Sequence, residues 1–198
     1  MANEKRKTFS NLCIIIGAVL ILAVAAYTLY AVLSAKGFES DNKKIVALAE
    51  ELMPPSADAY IEERGNSNMP VMEIEGVNVI GIIDIPTHDT KLPVNASWGT
   101  KSAKSMPCRY DGSLYDRDLI IGTVDTEGQF DFASELAVNS LLYFTDMESD
   151  RFSYSISSIK HSDKLNIDVW KEKSADLTVF VENEFSGEYT VIYCSAKG

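Results

Sequence analysis

Histidine and cysteine are scarce in this chain: two of the first and three of the second among 198 residues. One cysteine, Cys13, lies inside a long apolar run, so only Cys108 and Cys194 remain for the rest of the molecule. Two cysteines do not make a disulfide framework. A single bridge between them stays open, because an oxidising compartment permits it and sequence does not report whether their Cα atoms approach within about 7 Å. Basic residues are also few. Beyond Lys36 there are 14 against 28 acidic residues, a net charge of −14 on that part. That sign repels phosphate backbones and anionic lipid headgroups, which excludes nucleic acid as a partner and favours cationic ones. No repeat of fixed period and no low-complexity tract occurs.

What is present begins with "LCIIIGAVLILAVAAYTLYAVL", 22 uncharged residues from Leu12 to Leu33. About 20 apolar residues in a helix span the hydrocarbon core of a bilayer. Tyr27 and Tyr30 suit its interfacial end. Lys5, Arg6 and Lys7 precede the span and only Lys36 follows closely, so residues 1–11 are expected in the cytoplasm and the remainder outside. A cleaved signal peptide is the competing reading, with "LSA" at Leu33–Ala35 as a cutting site, but its apolar region would be only about 7 to 15 residues long. A retained single-pass anchor in the cell membrane is therefore expected over residues 12–33.

Residues 34–70 read as a helical stalk. In "ESDNKKIVALAEELM" Ser40 or Asp41 can cap an amphipathic helix carrying Ile45, Leu48, Ala49 and Leu52, and Pro54 and Pro55 stop it. "SADAYIEERGNSN" is a polar connector with room for another helical turn. From Val71 the pattern turns to strands: "VNVIGIIDIP", "LPVN", "RDLIIGTV", "SLLYFTD", "FSYSISSIK", "LTVFVEN" and "EYTVIYC" are short, β-branched or aromatic, and bounded by turn residues. Seven or eight of them predict a mostly β domain over residues 71–198, a sandwich or closed barrel with brief helices.

Read in order, these segments resemble one family. "VIGIIDIP" (Val79–Pro86), "KLPV" (Lys91–Val94), Trp98, "PCRYDGS" (Pro107–Ser113), "RDLIIG" (Arg117–Gly122), Phe130, Leu136, "YFTD" (Tyr143–Asp146), "FSYSI" (Phe152–Ile156) and "DLTVF" (Asp176–Phe180) follow the order of the sortases. The "PCRYDGS" and "FTD" elements look most like those of class B and class D-like clostridial members. Sortases are membrane-anchored cysteine transpeptidases that attach proteins to Gram-positive cell walls or polymerise pilins. The resemblance implies an eight-stranded β-barrel and a sorting-signal peptide as ligand, with no cofactor. It also implies a Cys thiolate that attacks the peptide carbonyl, a His that moves protons and an Arg that stabilises the oxyanion.

Carried onto this chain, those roles fall on different chemistry. The His belongs to a "GHN"-like motif after the strand matching "DLIIG", and Thr123 occupies its place. A hydroxyl does not exchange protons near neutrality as imidazole does. The Cys ends a "TLxTC"-like motif, where Glu182 stands. The Arg position is Tyr189, or Glu188 if the turn is one residue shorter. Neither carries a guanidinium fork. A non-enzymatic sortase-like protein follows as the leading reading, one that binds a peptide or cell-surface protein or assists an active enzyme.

Two other readings are carried forward. An active transpeptidase with a rearranged site would use Cys194, reading "TVIYC" as the nucleophile motif, with His88 or His161 as base. Against it, only "SAKG" follows, leaving no strand for the Arg, and Cys194 also fits a core thiol late in the last strand. A purely structural surface module is the third. Asp125, Glu127 and Asp131 in "DTEGQFD" are candidate ligands for a hard cation, but their spacing departs from the calcium-loop pattern and a solvated acidic loop is the plainer reading. No resident metal is expected. "NAS" at Asn95 is formally a glycosylation acceptor, of no consequence in a chain resembling bacterial proteins.

Overall fold

The computed structural model describes residues 2–55, 68–126, 130, 132–171 and 175–197, the side chains of 2–13, 35 and 169 excepted. They fall into two compact units, Met1–Gly37 and Phe38–Gly198. The first is helical and belongs to α1 (Ala2–Leu52). Within α1 an apolar window of mean hydropathy 2.4 has none of its residues buried. Among the described residues this is the one helix long and apolar enough to cross a membrane.

No cap interrupts α1 at Ser40 or Asp41, contrary to the sequence expectation. Between Ser34 and Asp41 there is no proline, and a single Gly37 in a helix costs only about 1 kcal/mol relative to alanine. In the second unit the end of α1 buries Asn42, Ile45, Val46 and Ala49, one stripe at helical spacing. Leu52, assigned to that stripe from sequence, is exposed, and Leu48 is only partly covered. The stripe packs on Ile74, Val79, Ile82, Met106 and Met147. Polar contacts pin its rims: the Asn42 amide donates to the Ser105 carbonyl (2.9 Å), and Lys44–Glu75 (2.9 Å) and Lys91–Glu50 (2.5 Å) are ion pairs. The connector at 56–67 lies outside the described residues.

Among the described residues nine strands follow: β1 (Met72–Ile74), β2 (Val77–Ile85), β3 (Thr90–Asn95), β4 (Cys108–Asp111), β5 (Leu119–Asp125), β6 (Leu141–Asp146), β7 (Arg151–Ser162), β8 (Leu177–Asn183) and β9 (Tyr189–Ala196). They pair in the order β2-β3-β4-β5-β8-β9-β7-β6, and β6 returns to β2. Eight strands thus close a barrel, as expected, while β1 is a short hairpin partner of β2 outside the ring. The β3–β4 and β5–β8 pairs are parallel and the others antiparallel. Three short helices, α2 (Thr100–Ala103), α3 (Phe132–Glu135) and α4 (Ile167–Lys171), and a 3-10 turn at Pro86–His88 lie in the connections.

Closure leaves no free edge for these eight strands and gives each an inner and an outer face. Ile80, Val94, Leu119, Ile121, Leu142, Phe144, Ile156, Leu177, Ile192 and Cys194 fill the interior. Gly81 admits the Phe144 ring to it, because a Cβ at position 81 would lie 2.2 Å from that ring. At the β6–β7 hairpin the buried carboxylate of Asp146 accepts the Tyr115 hydroxyl (2.7 Å) and the backbone N–H of Glu148 and Asp150 (2.9 Å each). Burial raises its pKa above the ordinary aspartate value despite these donors.

A raised carboxyl pKa means that the fold holds the proton more readily than the unfolded chain does. The stabilising difference is complete below the unfolded pKa and is lost as pH climbs through the folded one. The Asp146→Asn variant should therefore gain stability relative to the parent as pH is taken from about 3 to 7. Asp146→Ala, which strands the donors, should cost about 2–3 kcal/mol. Chemical denaturation across pH measures both, and equal stability of the Ala and Asn variants would refute the turn-holding role.

Candidate functional site

The parallel register of β5 on β8 pairs Gly122 with Phe180, Thr123 with Val181 and Val124 with Glu182. On the other side of β8 the antiparallel register pairs Glu182 with Tyr189 and Phe180 with Val191. Side chains alternate along a strand, so these paired residues share a face. Leu177, Val179 and Val181 belong to the barrel interior, whereas Phe180 belongs to a separate cluster with Ile120, Val191 and Tyr193. Glu182 and Tyr189 consequently stand side by side on the outer face.

That outer face is built around Phe180. Gly122 makes room for its ring: a Cβ there would lie 2.2 Å from it. Four more rings surround it, with centroids 5.5 Å away for Trp98 and Tyr110, 5.2 Å for Trp170 and 6.2 Å for Tyr189. Trp98 meets Tyr110 edge-on at 5.2 Å, and Trp170 lies 5.9 Å from Tyr189. Tilted and edge-on arrangements of this kind are the favoured geometries of aromatic pairs. Phe180 and Trp170 are buried by this packing, and Trp98, Tyr110 and Tyr189 are half-buried. Trp170 arrives on α4, whose Lys171 is paired with Asp111 of β4.

Glu182 and Tyr189 are register partners across β8 and β9. Burial raises the phenol's pKa first, and the neighbouring Glu182 carboxylate adds to it. Tyr189 therefore stays protonated at neutral pH. Thr123 is placed differently. It belongs to the opposite row of β5, is buried, and donates its hydroxyl to the Ala103 carbonyl of α2 (2.9 Å). The register sets Val124, not Thr123, beside Glu182.

The remaining candidates are scattered. Cys194 is fully buried in the barrel interior, paired with Leu177 and Ile156, and burial pushes its thiol up to about 12. Cys108 is fully buried with Ala103 and Val124, and burial pushes it up to about 12 as well. Both are free thiols. His161 is exposed on β7, its Nδ1 3.3 Å from the Thr190 hydroxyl, in the row opposite to Tyr189. His88 ends the 3-10 turn, with Nδ1 2.9 Å from the Thr87 hydroxyl, Nε2 3.5 Å from Glu135, and Phe132 against its ring. Asp125 is buried and its carboxylate accepts the Phe130 N–H (3.4 Å). Glu127 and Asp131 lie outside the described residues. Among the described residues no group of three or more His, Cys, Asp or Glu is disposed to hold a metal ion.

Sequence reasoning noted Trp98 as a matching residue and missed Tyr110, Trp170 and Phe180 as parts of one surface. A usable signal was there: the chain has only two tryptophans, and both end on Phe180.

Solved structures share this barrel. Sortase C from Clostridium perfringens SM101 aligns with a TM-score of 0.55 at 15% identity, over 79% of this chain and 99% of that one. Sortase C-1 from Actinomyces oris gives 0.54 at 13% identity, over 79% and 98%. Sortase A from Corynebacterium diphtheriae gives 0.52 at 14% identity, over 62% of each chain. No protein-family model and no curated protein matches the sequence. At these identities the likeness is one of fold: an eight-stranded sortase barrel.

Burial dictates how the two thiols behave. With a pKa near 12, only about one thiol in 10⁵ is ionised at pH 7, and the thiolate is the reactive form. In a Cys13→Ser background of the full-length protein, iodoacetamide should modify Cys108 and Cys194 at least about 100-fold more slowly in the native state than in denaturant. Rapid native labelling of either would overturn the assignment of both as inert core groups.

Proposed function

We propose that this chain is a catalytically silent member of the sortase group. It is anchored in the cell membrane by its N-terminal helix with the barrel outside, and it binds a cell-surface peptide or protein without forming a covalent intermediate. One observation carries the reading: where strands β5, β8 and β9 converge, the paired residues are Val124, Glu182 and Tyr189. A carboxylate beside a phenol offers no strong nucleophile, and neither residue supplies the guanidinium that would stabilise an oxyanion. The thiols speak to the same effect. Cys194 faces the barrel interior, away from Glu182, and Cys108 is covered completely. Thr123 has its hydroxyl engaged by α2, so it offers no proton relay to this face.

The sorting-signal peptide expected from the resemblance would meet a surface already occupied by Trp98, Tyr110, Trp170 and Tyr189. This favours recognition of side chains at the surface over threading of a peptide along an open apolar groove. The anchor and the charge of the part beyond Lys36 support a role beside the membrane with a cationic partner.

Incubating the full-length protein with sorting-signal peptides and measuring its intact mass tests the absence of acyl transfer. The expected spectrum shows the unmodified chain alone. A peptide adduct that disappears in a Cys108→Ala or Cys194→Ala variant would overturn the proposal.

A further inference from the structure

Among the described residues Glu182 lacks a counterion. It is half-buried and stands beside the Tyr189 phenol on the outer face. No ion pair joins it to any lysine or arginine among the described residues, and Lys104 and Lys171 are engaged elsewhere. Lys104 pairs with Glu184 and Lys171 with Asp111. A carboxylate taken partly out of water without a cation leaves a strong site for one.

The surroundings narrow the kind of cation. Trp98 packs both on Phe180 and on the cluster that contains Val124, two of the outer-face neighbours of Glu182. Tyr110 and Tyr189 both pack on Phe180, their centroids 5.5 and 6.2 Å from it. Half-exposed rings of Trp98, Tyr110 and Tyr189 therefore share the outer face with the carboxylate. A planar guanidinium stacks on such rings and meets a carboxylate through two parallel N–H donors, whereas an ammonium is a compact, strongly hydrated point charge.

From this juxtaposition we infer that the face bearing Glu182, Trp98, Tyr110 and Tyr189 is a docking site for an arginine side chain on a partner protein. This deepens the binding reading above and rests on it. The guanidinium takes the position between the rings and the carboxylate, and the net −14 beyond Lys36 draws a basic segment toward it. The aromatic packing beneath is complete without the partner, so docking needs no rearrangement of Phe180 or Trp170.

The test uses the full-length protein in phosphatidylcholine nanodiscs, titrated with the pentapeptide acetyl-Gly-Ala-Arg-Ala-Gly-amide and followed by calorimetry and tryptophan emission. Controls replace the arginine with lysine or with citrulline, which keeps the shape and removes the charge. The arginine peptide should bind saturably, the lysine peptide about 3-fold more weakly and the citrulline peptide at least about 10-fold more weakly. Glu182→Gln should weaken the arginine peptide about 10-fold at an unchanged melting temperature. Citrulline or lysine binding as tightly as arginine would overturn the proposal. So would an unaltered affinity in Glu182→Gln, or no saturable binding at all. Because no step depends on acyl transfer, these results are independent of the mass measurement that tests catalytic silence.

Discussion

The ring of Phe180 lying over Gly122 is the contact on which the outer face depends. Any side chain at 122 would meet the ring at 2.2 Å, so the missing Cβ is what lets an aromatic residue of β8 settle on β5. With Phe180 seated, Trp98, Tyr110, Trp170 and Tyr189 have a common centre to pack against. The same strand pairing places Glu182 two residues further along, beyond the end of the aromatic cover. Hydrophobic packing and the position of the charge are thus two outcomes of one register.

Burial decides what the polar groups near this register can do. It pushes both thiols to about 12 and holds the Tyr189 phenol protonated beside a carboxylate. A half-buried carboxylate with aromatic neighbours is chemically suited to hold a cation. Chemistry of this kind is set by which face a residue occupies as much as by its identity. Cys194 shows the point: four residues from the end of the chain it resembles a candidate nucleophile, yet strand parity sends its sulfur into the barrel interior.

Much of the barrel was legible from β-branched runs punctuated by turn residues, because those runs are local. Seven or eight strand segments emerge from them, and the resemblance supplied their order and the count of eight. Closure between β2 and β6 brings together residues about 60 positions apart and leaves no local trace. The pairing of Glu182 with Tyr189 was accessible, since a short turn joins their strands. The partner of Glu182 on β5 was not: counting along motifs reached Thr123, and only the parallel register reveals that Val124 is its neighbour. The five rings of the aromatic cluster come from five separate segments, so no periodicity could reveal it. On α1, Ile45 and Ala49 were read correctly, but the stripe turns toward Asn42 and Val46 because a tertiary partner, the Ser105 carbonyl, rewards the amide.

The last turns of α1 bear on where this protein can be cut. Ile45, Val46 and Ala49 cover Ile74, Val79, Ile82, Met106 and Met147. A fragment beginning at Val71 would retain every strand of the barrel and still expose that apolar patch to water, an invitation to self-association. A soluble recombinant form keeps its own lid by starting near Phe38, where the second compact unit begins.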